Sequence, residues 1–172
     1  MQATPVVGST PTDTLQINYI GQEKGIKQLN VQKIVQDDLD YLWFSTEDGL
    51  HRFNGLQMKV FADNPLDSSS IPDDHNRGLL IVEDTLWIAS NSKGIFALDL
   101  RTEQFSIPFP EMSGAISYQV FQLNHQYLLF SLADVFYVLN RKTRQLTPVK
   151  LPSRLQVLWH LKKVPKKQRL FY

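Results

Sequence analysis

The chain contains no cysteine, and this absence alone removes disulfides, thiolate nucleophiles and every cysteine-based zinc site. It leaves the compartment open, because cysteine-free chains work in oxidising and reducing spaces alike. No stretch approaches the roughly 18 apolar residues of a membrane-spanning helix, and no apolar signal core follows Met1. Residues 1–14, rich in Thr, Pro and small side chains, read as a flexible tail at the start of a mature chain. Glycine-rich phosphate loops and a Gly-x-Ser-x-Gly elbow are also missing. The four histidines, His51, His75, His125 and His160, share no metal-ligand spacing, so neither a metal nor a cofactor is expected. Acid pairs such as Asp37 and Asp38 sit in a turn that accounts for them, and no catalytic set is expected.

Net charge is small, but the two signs are unevenly placed. Residues 1–86 carry 6 Lys/Arg against 13 Asp/Glu, whereas residues 87–172 carry 12 against 4, although the whole chain is only +1. Scattered charges of this kind read as solvated faces, with head-to-tail pairing of an acidic and a basic half as the alternative. The basic run Lys162, Lys163, Lys166, Lys167 and Arg169 occupies one turn and lacks the interleaved aromatics and basic face that nucleic acid requires. No nucleic-acid partner is expected.

What the chain does have is a period. The stretch WFSTEDGLHRFNG, from Trp43 to Gly55, returns 44 residues later as WIASNSKGIFALD, from Trp87 to Asp99, and again as LFSLADVFYVLN, from Leu129 to Asn140. In each copy short apolar runs alternate with turns rich in Asp, Asn and Gly, too short for helices and right for strands. Self-similarity at such a period, built only of short strands, predicts propeller blades. The expected fold is all-β: a partial β-propeller of about three and a half four-stranded antiparallel blades. Blade 1 covers about 31–61, blade 2 about 76–107, blade 3 about 117–149, and a fourth begins at about 156–172. A short strand is expected over 15–20. Trp43, Trp87 and Leu129, at one position of each repeat, are expected to fill the wedge between neighbouring blades. The 62–75 linker holds Asp63, Asp67, Asp73, Asp74 and His75 without EF-hand spacing or its central Gly, and reads as a solvated connector.

The run from Val31 to Phe61, with Asp37, Trp43-Phe44, Thr46, Asp48-Gly49-Leu50, Arg52-Phe53-Asn54-Gly55 and Val60-Phe61, resembles the two-component regulator propeller repeat. The linker from Asp63-Asn64-Pro65 to Ile71-Pro72 and the lead Gly25-Ile26-Lys27-Gln28-Leu29-Asn30 are similar to that family's inter-blade segments. The pattern weakens along the chain: Ser45, Ala89 and Ser131 stand where the family usually has Gly, and blade 3 has Leu129 for the Trp. The resemblance implies the N-terminal part of the periplasmic ligand-sensing domain of a membrane-bound hybrid histidine kinase or diguanylate cyclase, non-catalytic in itself. The membrane would be met only through regions of the parent absent from this chain.

Three and a half blades make an open arc, so the chain is expected to meet the remaining blades of a longer parent or to self-associate. Ligands of propellers usually meet the channel rim, built from first strands and the loops joining blades. On that geometry the expected ligand-binding residues are His75, Asn76 and Arg77 at the start of blade 2, and Ser117 and Tyr118 at the start of blade 3. Asn30 is the blade 1 equivalent. The ligand class is a carbohydrate or another small molecule. A protein-interaction scaffold, and a propeller lyase or glycosidase, remain as alternatives.

Overall fold

The computed structural model describes residues 19–26, 29–133 and 135–150. The tail over 1–14 and the fourth unit over 156–172, with its basic run, lie outside the described residues. Of the strand expected over 15–20 only residues 19 and 20 are described, and neither is in a strand.

Among the described residues, twelve strands run in chain order: β1 (Lys33–Gln36), β2 (Leu42–Ser45), β3 (Leu50–Phe53), β4 (Met58–Phe61), β5 (Asn76–Val82), β6 (Thr85–Ser90), β7 (Ile95–Asp99), β8 (Phe105–Ser106), β9 (Val120–Gln122), β10 (Tyr127–Leu132), β11 (Val135–Asn140) and β12 (Gln145–Val149). They form three four-stranded sheets, β1 to β4, β5 to β8 and β9 to β12, each an antiparallel meander. Three such blades, β1 to β12, constitute the partial propeller that the repeat predicts. Pro148 falls within β12, which among the described residues pairs with β11 alone and so lies at a sheet edge, where proline is tolerated.

The turns are encoded residue by residue. Where the third strand of each blade meets the fourth, an Asn or Asp side chain accepts two backbone N–H groups. Asn54 Oδ1 takes those of Leu56 and Gln57 at 2.9 and 2.7 Å, Asp99 those of Arg101 and Thr102 at 2.9 and 2.8 Å, and Asn140 those of Lys142 and Thr143 at 3.0 and 3.3 Å. These side chains substitute for backbone partners that a tight turn leaves unpaired. The first hairpin has its own device. Asp37 Oδ1 accepts the N–H groups of Leu39 and Tyr41, both at 3.0 Å, and Asp40 adopts a left-handed φ of 63°.

Alternation along the strands then sorts the apolar side chains into two seams. Between the first and second sheets, Trp43 and Leu50 meet Leu79, Leu86, Ile88, Phe96 and Leu98, all buried. Trp43 stacks on Phe61 with centroids 5.8 Å apart, Phe61 meets Phe105 edge-on at 5.8 Å, and Phe105 meets Phe96 at 6.1 Å, so rings cross the seam without a break. Between the second and third sheets, Val82 and Ile95 meet Val120, Leu128, Phe130 and Leu139, with Trp87 at the margin. Each linker also inserts a plug, Ile71 into the first seam and Phe109 into the second.

Trp43 is 1% exposed in its seam, and its indole Nε1 donates to Asp37 Oδ2 at 2.8 Å. Trp87 is half-buried, and its Nε1 is enclosed with no acceptor among the described residues. The two-residue turn Glu83-Asp84 leaves no carboxylate where Asp37 stands in the first blade. Leu129 belongs to neither seam. It is half-buried on the face of the third sheet opposite Leu128 and Phe130, so the third inter-blade contact expected of it does not fall among the described residues.

The first strands of the three blades lie side by side, β1 beside β5 and β5 beside β9. Gly78 allows the closer approach: a Cβ there would stand 2.9 Å from Gln119 Cα and 3.0 Å from the Tyr118 carbonyl oxygen. Ion pairs tie the blades at the turn end remote from the linkers. Glu103, in the β7–β8 turn, pairs with Arg52 at 2.7 Å and with Lys59, and Glu83 pairs with Arg141 at 2.7 Å.

Candidate functional site

An antiparallel meander places the linkers and the turns between its second and third strands at one end of the blades. At that end the innermost strands begin, and the polar residues expected at the channel mouth gather there. They fall into two kinds.

Asn76 and Ser117 are fully buried and act as joints. The Asn76 N–H donates to the Thr46 carbonyl at 2.9 Å, and the Ser117 N–H donates to the Ser90 carbonyl at 2.8 Å. Thr46 and Ser90 occupy the same repeat position, one residue before the turn, so each bond fastens the start of one blade to the end of β2 or β6 in the blade before it. Both side chains, expected to face a ligand, have no exposed surface in this arrangement.

His75, Arg77 and Tyr118 are half-buried and form the accessible set. The His75 N–H donates to Asp73 Oδ1 at 3.0 Å, which fixes the last linker residues, and His75 Nε2 lies 3.7 Å from Glu47 Oε1. The same Glu47 oxygen accepts from Asn30 Nδ2 at 3.2 Å, bringing the blade 1 equivalent into the cluster. Asp73 Oδ2 accepts from both the N–H and the hydroxyl of Ser92, at 2.8 and 2.9 Å, and so ties the linker to the β6–β7 turn.

Arg77 occupies a bulge. The β5–β6 register runs Asn76 to Ser90 and then Gly78 to Ala89, leaving Arg77 without a ladder partner and re-aiming its side chain. Its Nε and Nη2 both donate to Asn91 Oδ1, at 3.2 and 2.8 Å, and its Cζ stands 5.1 Å from the centre of the Tyr118 ring. The cation–π contact crosses from the second blade to the third. Glu47 and Asn91 are the site residues that sequence reasoning missed. They occupy one repeat position, the first residue of the turn after β2 and β6, and superposing the repeats would have singled them out.

The two ends of the blades differ in electrostatics. At the remote end Lys59, and then Arg52, hold the Glu103 carboxyl below the usual carboxylate range, and Arg141 does the same for Glu83. At the linker end polar groups meet mostly neutral partners. No group of three or more His, Asp and Glu side chains among the described residues is placed to hold a metal ion. The arrangement can bind and orient a solute through an amide-held guanidinium, an imidazole beside a carboxylate, and a phenol.

No family model matches the sequence. A segment of 47 residues is 45% identical to histidine kinase P4 of Formosa agariphila, covering 27% of this chain and 3% of that protein. Among solved structures, the extracellular domain of a hybrid two component system from B. thetaiotaomicron superposes with a TM-score of 0.69 at 24% identity, over 78% of this chain and 21% of that one. PorZ, a bacterial surface component of the type-IX secretion system of Porphyromonas gingivalis, superposes with a TM-score of 0.54 at 16% identity, over 76% of this chain and 18% of that one. The chain thus spans about a fifth of the length of either structure. By its three four-stranded meanders and this likeness, the chain is a partial β-propeller, a fold it shares with that extracellular domain.

Proposed function

We propose that this chain forms part of the extracytoplasmic, periplasmic ligand-sensing propeller of a membrane-bound signal-transduction protein, a hybrid two-component sensor kinase or a diguanylate cyclase, and performs no chemistry itself. The observation that carries the reading is the mouth at the linker end. There half-buried polar side chains from two consecutive blades meet, Arg77 on Tyr118, over a seam that a solute can tighten or loosen. The short kinase match and the fold shared with an extracellular sensor domain support the same reading. Sensing of this kind requires a ligand that binds two blade arrangements with different affinity. Carbohydrates suit a mouth that offers amide, imidazole, guanidinium and phenol groups to hydroxyls.

The test is a thermal-shift screen of the full chain against mono- and oligosaccharides, followed by titration of each hit. Saturable stabilisation by at least one saccharide, without its conversion, is the expected outcome. The competing reading, a protein-interaction scaffold, is favoured by the fold shared with PorZ. It gains if no saccharide shifts the melting temperature, and conversion of a hit favours the lyase or glycosidase reading.

A further inference from the structure

Among the described residues, every arginine or lysine side chain in a recorded hydrogen bond or ion pair meets a carboxylate, Arg77 excepted. Arg52 and Lys59 pair with Glu103, Arg101 with Asp84, and Arg141 with Glu83. Arg77 is held as firmly, by two hydrogen bonds and an aromatic face, yet its partner is the neutral amide of Asn91, and no carboxylate among the described residues pairs with it. A guanidinium that is permanently charged and half-buried without a counter-ion is under-satisfied. The geometry also leaves a specific edge open. Nε and Nη2 form the side edge of the planar fork, and both are spent on one oxygen of Asn91. The end edge, formed by Nη1 and the second N–H of Nη2, has no acceptor among the described residues, and it is the edge that matches the two oxygens of a carboxylate.

We propose that Arg77 is the anion-reading group of the mouth and that its open edge takes a carboxylate borne by the bound ligand, the class of an acidic saccharide such as a uronate. This rests on the ligand-sensing reading above and narrows it. Each neighbour has a role. The bulge at Arg77 turns the side chain out of the β5 ladder, Asn91 fixes the plane of the fork, and Tyr118 holds its face. Because Tyr118 precedes the third blade and Arg77 begins the second, an anion seated on the fork engages both blades at once. The nearby acids are engaged elsewhere: Asp73 accepts from Ser92 and the His75 N–H, and Glu47 accepts from Asn30.

The experiment uses the full chain labelled with nitrogen-15 and titrated at constant ionic strength with galacturonate, galactose and acetate. The Arg77 Nε–H resonance is assigned by its loss in Arg77→Lys. Galacturonate is expected to shift this resonance saturably, acetate to shift it more weakly and to compete, and galactose to leave it in place. Arg77→Met, with its melting temperature unchanged, is expected to bind galacturonate roughly ten- to hundredfold more weakly, the loss of charge-assisted hydrogen bonds. Arg77→Lys, which keeps the charge without the fork, falls between. The inference is overturned if galactose binds as well as galacturonate, if Arg77→Met binds galacturonate unimpaired, or if neither carboxylate moves the Arg77 resonance. A neutral saccharide that stabilises wild type and Arg77→Met alike overturns it while leaving sensing intact. Carboxylate binding at Arg77 with no saccharide stabilising the chain sinks the sensing reading alone.

Discussion

One carboxylate, that of Asp37, shapes the first hairpin and also anchors the ring that fills the first seam, so the two functions can be separated by substitution. Asp37→Asn keeps an oxygen for the N–H groups of Leu39 and Tyr41, both now at 3.0 Å, but turns an NH2 group toward the indole Nε1–H of Trp43, which donates to Oδ2 at 2.8 Å. A bond to a charged acceptor is exchanged for two donors facing one another. The expected cost is about 1.5–3 kcal/mol, because the indole is buried and has no water to turn to. Trp43→Phe removes the donor itself and trims a side chain that is 1% exposed, leaving a partial cavity. In the double variant the donor clash no longer exists, so the two costs do not add. The coupling energy is expected at about 1–2 kcal/mol. The assay is urea unfolding of the four proteins followed by far-ultraviolet circular dichroism, which does not depend on the tryptophan being replaced. Additivity within about 0.3–0.5 kcal/mol, the range for independent sites, would refute the claim that Asp37 supports the seam through the indole.

Three further outcomes follow from the same geometry. Gly78→Ala brings a Cβ to 2.9 Å from backbone of the neighbouring blade, which cannot rotate away, and should destabilise the chain by roughly 1–3 kcal/mol in chemical denaturation. For Glu103 the folded carboxyl is held below its ordinary range by Lys59 and Arg52, so the carboxylate favours the folded state at and above that range and ceases to do so as pH falls below it. The stability gap between wild type and Glu103→Gln should therefore be present at neutral pH and close on acidification; a gap independent of pH would contradict it. Self-association of the chain is also expected. Ile34, on the face of the first sheet turned away from the second, is 52% exposed, and light scattering behind size exclusion should show mass rising with concentration.

The repeat made the architecture readable because its determinants are local. An Asp or Asn at the end of each third strand, at Asn54, Asp99 and Asn140, makes its turn with its own side chain, and such information lies within a few residues of sequence. The plugs Ile71 and Phe109 were not readable as core, since each sits beside proline in a linker and is buried only once the two flanking sheets stack. The mouth divides in the same way. Position in the repeat placed His75, Arg77 and Tyr118 at the linker end, but whether a residue there serves as a joint or as a lining depends on which way a bulge turns it. Asn76 and Arg77 are adjacent, yet the first is buried in a backbone joint and the second turns to meet Asn91. Glu47 and Asn91 went unread because each owes its role to a partner in another strand or linker.

Hydrogen exchange of the full chain, read by mass spectrometry with and without a saccharide that raises its melting temperature, tests the central claim most directly. Added protection is expected to concentrate over 73–77, 90–93 and 117–118, where the linkers meet the first strands. Protection confined to the opposite turns, at 37–41, 83–84 and 124–126, would contradict it.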